Sequence, residues 1–89
     1  ENIPRALAPG FTARIEKAKI QTPPLFDLIA RTGNIPERDM FNTFNMGVGM
    51  LAVVASEDAD AAVAALRSSG VEAYICGEAV RGEGGVELW

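Results

Sequence analysis

A three-part run in the second half of the chain constrains the fold most. MGVGMLAVVA (residues 46–55) is apolar on both faces, the pattern of a strand covered from both sides. It leads directly into SEDADAAVAALRSSG (residues 56–70). There Ser56 is placed to cap a helix, Glu57, Asp58 and Asp60 suit its positive end, Arg67 lies in its last turn and Gly70 stops it. Ala59, Ala62, Val63 and Leu66 form a narrow stripe whose small side chains permit close packing on a sheet. A second apolar run, VEAYICGEAV (residues 71–80), reads as the next strand. Strand, helix and strand from Gly47 to Val80 predict a crossover unit, either joining parallel neighbours or lying as in split α+β folds.

The remainder extends this pattern. Pro4 inside a first turn and Pro9-Gly10 as a stop predict a helical turn over residues 3–8. In FTARIEKAKI, Ala13, Ile15 and Lys17 alternate with Thr12, Arg14 and Glu16, as in a short strand with one apolar face. QTPP opens a helix with Thr22 as N-cap and Pro23 in its first turn. Leu25, Phe26, Leu28 and Ile29 give that helix an apolar side, and Gly33 ends it. A second short helix begins at Pro36, with Met40, Phe41 and Phe44 on one side. RGEGG is a turn and VELW a final short strand. The expected fold class is α+β: a mixed sheet with helices packed on one face, in a single partial domain over residues 1–89.

Composition narrows the function classes. A net charge of −4 over 89 residues argues against general nucleic-acid binding, which needs a basic stripe. The charge is uneven: residues 1–38 carry six Lys/Arg and four acids, whereas residues 39–89 carry two and eight. An anionic ligand would therefore favour the first half, although solvated faces of unlike sign explain the same pattern. With one cysteine, Cys76, and no histidine, there is no intrachain disulfide and no His/Cys metal set. Cys76 reads as a buried structural thiol, because no histidine is present to activate it. No apolar run reaches the ~20 residues of a membrane helix, and no signal peptide is visible, so a cytoplasmic location is expected. A chain of this size should have a thin core.

No G-x-G-x-x-G, P-loop or G-x-S-x-G motif is present. Asn45, Gly47 and Gly49 stand at the head of the 46–55 run. Glycine there lets a ligand or another stretch of backbone come close, and asparagine offers a donor and an acceptor together; a bulge or tight packing is the plainer reading. Arg5 follows a proline in a turn that can present its guanidinium to a phosphate or carboxylate, or it is an ordinary surface arginine. Asn2 is placed to cap the first turn. Glu78 is either a ligand or a solvent-facing edge carboxylate, and Trp89 a packing residue.

Several stretches together (ENIPRAL, PPLFDLIARTGNIPERDMFNTFNMGVGM, EDADAAVAAL and YICGEAV) carry a specific resemblance. The chain resembles, from Glu1 to about Val80, the C-terminal part of the C-terminal domain of the phosphoribosylformylglycinamidine cyclo-ligase (AIR synthetase) family. The resemblance implies closure of the imidazole ring of aminoimidazole ribotide from formylglycinamidine ribotide, with ATP activating the formyl oxygen and ADP and phosphate released. It implies ATP and Mg as cofactors of the parent enzyme, bound mostly by an N-terminal domain absent from this chain. It also implies an active site in the cleft between domains and a homodimeric assembly.

Residue by residue, Asn2 and Arg5 match the NIPR motif and become substrate-side residues, with Arg5 suited to the ribotide phosphate. Asn45, Gly47 and Gly49 match the FNMGxGM motif and become cleft-lining. No general acid or base is assigned, no metal site is implied within the chain, and Cys76 is not a motif position. The family's glycine-rich TGGG segment, which precedes the NIPR motif, is not present. With Glu1 as first residue, the chain is expected to be a piece of a longer enzyme, inactive alone and without cofactors of its own. Edges left bare by missing strands would pair with another copy as dimers or swapped oligomers. The alternative from a different class is a stand-alone α+β small-molecule binding or regulatory module.

Overall fold

A computed structural model describes residues 1–89 and gives an α+β arrangement around a mixed three-stranded sheet. The elements are a 3-10 turn Ile3–Ala6, β1 (Phe11–Ile15), a 3-10 turn Lys17–Lys19, α1 (Pro24–Gly33), α2 (Glu37–Thr43), a 3-10 turn Ser56–Asp58, α3 (Ala59–Ser68), β2 (Gly77–Arg81) and β3 (Val86–Leu88). β1 is central. It pairs antiparallel with β2, with Phe11 opposite Arg81 and Ile15 opposite Gly77, and parallel with β3, with Ala13 opposite Val86 and Ile15 opposite Leu88.

Pairing on both sides explains why β1 is the best-buried element. Thr12, Ala13 and Ile15 are all buried, so the strand lacks the one-sided alternation read from its sequence. Thr12 tolerates burial because its hydroxyl donates to the Gly84 carbonyl (3.0 Å) and accepts from the Gly84 N–H (3.2 Å). That exchange replaces the hydroxyl's water partners and fixes the RGEGG turn against the central strand. The turn itself runs through Gly84 (φ 99°) and Gly85 (φ 78°), backbone that glycine adopts at no steric cost. The final strand stays in register because the Trp89 N–H donates to the Ile15 carbonyl (3.0 Å) and the Lys17 N–H to the Trp89 carbonyl (2.8 Å).

The helices begin and end largely where chain chemistry dictates, with two shifts. In α1 the N-cap is Pro23, not Thr22, with Pro24 as the first helical residue; the fixed φ of proline favours the first turn, where its missing N–H costs nothing. The helix ends on Asn34 in the left-handed conformation (φ 49°, ψ 49°), with Gly33 still helical. Asparagine substitutes for glycine at such caps. α2 starts after Pro36 and buries Met40 (1% exposed), and Phe44 just beyond it meets Phe26 of α1 edge to face at 5.8 Å. In α3 neither Ser56 nor Asp58 makes a side-chain capping bond. Of the expected stripe, Ala59, Ala62 and Val63 are half-buried and Leu66 is exposed.

The expected strand over residues 46–55 does not form. Met46 and Gly47 make a turn, and the run beyond it has no ladder. The expected strand over 71–80 is cut back to Gly77–Arg81. The crossover from Gly47 to Val80 is therefore absent: both edges of β1 are taken by β2 and β3, which leaves the most strand-like sequence of the chain unpaired. The consequence is a flat body, 41 × 35 × 18 Å. Its buried core is only Thr12, Ala13, Ile15, Met40 and Met46, thin even for this length.

Candidate functional site

Asn2 and Arg5 sit together in the first 3-10 turn, where the Arg5 N–H donates to the Asn2 carbonyl (3.1 Å). Pro4 holds this turn by its fixed φ. Asn2 occupies the N-cap position, yet its side chain makes no capping bond, so the carboxamide is left free. Arg5 is exposed, and its guanidinium joins none of the chain's ion pairs. The sequence reads Asn2 as a cap and Arg5 as an anion-facing or surface arginine, and the family resemblance makes both substrate-side; the geometry leaves both polar groups available to something outside this chain.

Asn45, Gly47 and Gly49 sit on a second turn. The Val48 N–H donates to the Asn45 carbonyl (3.0 Å), and the Gly47 N–H donates to Asn45 Oδ1 (2.9 Å). Asparagine thus closes the turn with its own side chain, which commits its oxygen and leaves its NH2 free. Met46 (φ 55°) and Gly47 (φ 99°) are both left-handed. Met46 accepts that strain while its side chain is buried.

The two glycines differ. A Cβ on Gly47 would lie 2.5 Å from Pro23 Cδ and 2.9 Å from the Gln21 carbonyl oxygen, whereas a Cβ on Gly49 would meet nothing within 4 Å. The missing side chain at Gly47 is therefore explained by the QTPP segment packing against it, a contact that local sequence did not reveal. Gly49 is bare backbone open to the surroundings. Gly47→Ala is expected to destabilise the chain by about 2 kcal/mol through strain and overlap, and Gly49→Ala by less than about 1 kcal/mol; paired urea melts measure the contrast.

No hydrogen bond or ion pair joins the turn at residues 2–5 to the turn at residues 45–49. Two shallow cavities lie elsewhere, of about 450 Å³ beside Arg67, Val71, Glu72 and Tyr74 and about 310 Å³ beside Thr12, Arg81 and Glu83. Neither is lined by any of the five candidate residues.

Other polar groups have structural explanations. Glu78 lies 3.7 Å from Arg14, which is also 3.4 Å from Glu87 on the opposite strand and 5.6 Å from the centre of the Trp89 ring. Arg14 thus bridges all three strands. Its Nε is shielded from water, yet the approach to Glu87 is too poorly aligned to make a hydrogen bond. Both carboxylates are largely exposed, so these pairs contribute at most about 1 kcal/mol each.

Cys76 is half-buried. Desolvation raises its pKa, opposed by a backbone hydrogen bond and the charge of Lys19. The folded state therefore favours the neutral thiol: its contribution to stability is intact below the unfolded thiol pKa and declines as pH rises past it. Cys76→Ser should flatten the loss of stability between about pH 8 and 10, read from urea midpoints across that range.

Fold and turns together define an α+β unit that presents an unpaired arginine, two asparagine side chains with free donors and a glycine-bared edge at Gly49. A family model described as the C-terminal domain of AIR synthase related proteins matches residues 1–89. Phosphoribosylformylglycinamidine cyclo-ligase from Caldanaerobacter subterraneus subsp. tengcongensis is 47% identical over 88 residues, covering 99% of this chain and 26% of that protein. The protein of that name from Agathobacter rectalis is 44% identical over the same shares. The one from Alkaliphilus oremlandii is 48% identical over 82 residues, 92% of this chain and 24% of its own. The chain belongs to the AIR synthase related family, as part of its C-terminal domain. It spans about a quarter of the length of the curated relatives it matches.

Proposed function

We propose that this chain serves as the C-terminal part of a phosphoribosylformylglycinamidine cyclo-ligase, which closes an imidazole ring on formylglycinamidine ribotide at the expense of ATP. The observation that carries this reading is 47% identity to a cyclo-ligase sustained over 88 of the 89 residues, both candidate turns included. The stand-alone binding module is not favoured.

Within that reading, Arg5 faces the ribotide phosphate. An exposed guanidinium free of carboxylate partners suits a dianionic group. Asn2 contributes its uncommitted carboxamide, and Asn45 its free NH2. Gly49 keeps the cleft edge bare of side chains, and Gly47 lets the Gln21–Pro23 segment pack behind it. Nucleotide and metal contacts are assigned to the part of the enzyme outside the matched residues. The 89-residue chain alone is then inactive, and catalysis requires the N-terminal domain and a homodimer, in the cytoplasm. No helix is long and apolar enough to cross a membrane.

The test is replacement. This chain is grafted in place of the matched residues of the Caldanaerobacter relative and expressed in cells lacking their own cyclo-ligase. Growth without purines is the expected result. Failure of a folded, expressed graft to support growth would count against the reading.

A further inference from the structure

The Gln21–Pro23 segment has no strand or helix of its own, yet the second candidate turn rests on it. The Gln21 carbonyl oxygen and Pro23 Cδ occupy the space beside Gly47 that a side chain would need. Phe44 against Phe26 and the buried Met46 anchor the residues before Gly47; Gly47 itself is set by that segment. The segment's other backbone bonds are local: the Thr22 N–H donates to the Ile20 carbonyl and the Phe26 N–H to the Pro23 carbonyl. Its bond to a distant part of the chain is at Gln21, whose N–H donates to Tyr74 Oη (3.1 Å), 53 residues further on. Gln21 therefore has its N–H held by Tyr74 and its carbonyl against Gly47. The Gly47 N–H in turn donates to Asn45 Oδ1 (2.9 Å). A carboxamide is planar, so fixing its oxygen also fixes where its free NH2 points.

We propose that Tyr74 is a positioning residue for ribotide binding: its hydroxyl holds the Gln21–Pro23 segment against Gly47 and, through Gly47, aims the Asn45 carboxamide at the substrate. This rests on the cyclo-ligase reading above. Tyr74 makes no hydrogen bond to Asn45 or Gly47, so its effect passes through the segment. The bond adds little to stability. Tyr74 is half-buried, and both it and Gln21 line the open cavity of about 450 Å³. Without the hydroxyl, water from that cavity takes over the Gln21 N–H. The donor stays satisfied, but the segment loses its fixed reference to the chain beyond α3.

Tyr74→Phe in the graft described above removes the hydroxyl alone. The KM for formylglycinamidine ribotide is expected to rise about fivefold or more with kcat within about twofold, because binding alone is weakened. The urea midpoint stays where it was. Asn45→Ala should raise KM as well, and in that background Tyr74→Phe should add less than about twofold, since the group it aims is gone. An unchanged KM in either single variant overturns the proposal. So does an equal rise in both backgrounds, or a joint fall in kcat and urea midpoint, each the mark of a merely structural hydroxyl. Amide exchange gives a readout independent of turnover, in the graft and in the 89-residue chain. At Gly47 it should run about tenfold faster in Tyr74→Phe, with β1 unchanged; unchanged exchange there overturns the proposal whatever the kinetics. The two readings fail separately: faster Gly47 exchange in an inactive graft keeps the Tyr74–Gly47 link and loses the cyclo-ligase function, and turnover with unchanged exchange does the reverse.

Discussion

Gly77→Ala is expected to abolish the antiparallel half of the sheet. A Cβ at Gly77 would overlap the Arg14 carbonyl oxygen, with the Arg14 carbonyl carbon at 2.9 Å and Ile15 Cα at 3.0 Å. These are backbone atoms of the central strand, which cannot rotate away as the end of a flexible side chain does. To make room, β2 has to separate from β1 next to the Gly77–Ile15 pair. The Glu16 N–H bond to the Cys76 carbonyl (2.9 Å) lies at the same place. The cost is about 4 kcal/mol, at the high end for a single substitution. A domain of this size has only about 4–13 kcal/mol in total, so roughly a third of its stability or more is lost. The urea midpoint should fall accordingly, and the circular dichroism should lose strand signal first. Retention of the wild-type midpoint would show that the strands pack less closely than described.

The second large effect falls on ligand binding. In the full-length enzyme context, Arg5→Ala should raise the KM for formylglycinamidine ribotide by about 30-fold or more, the range for removing a charged hydrogen-bond partner. Folding should not change, because Arg5 is exposed and contributes to no ion pair. Arg5→Lys should recover only part of the loss, since an ammonium restores the charge without the planar fork. An unchanged KM in a correctly folded variant removes Arg5 from the site.

Much of the fold was legible wherever the determining chemistry is local. Pro36 followed by acidic residues set the start of α2, the glycines of RGEGG set the turn, and VELW became β3. The errors lie where partners are distant in sequence. Nothing local distinguishes the run at residues 46–55 from a central strand, because its pattern of side chains is a strand's; what it lacks is a neighbour. Thr22 was displaced as cap by the proline after it, a competition between two good local signals.

The site was legible to a different degree. Gly47 was recognisable as a position of close approach, but its partner, the Gln21–Pro23 segment, lies more than twenty residues away. Asn45 builds the turn with its carbonyl and Oδ1, which leaves only its NH2 uncommitted. Arg5 was singled out by the NIPR motif, and the absence of a carboxylate partner became visible only in three dimensions.

The measurement closest to the central claim is ribotide-dependent ADP release by the graft of this chain into the Caldanaerobacter relative. The account predicts turnover within about tenfold of the parent enzyme, a barrier change of about 1.4 kcal/mol or less, and none from the 89-residue chain alone. A folded graft that hydrolyses no ATP in the presence of formylglycinamidine ribotide, or turnover by the isolated chain, would contradict it.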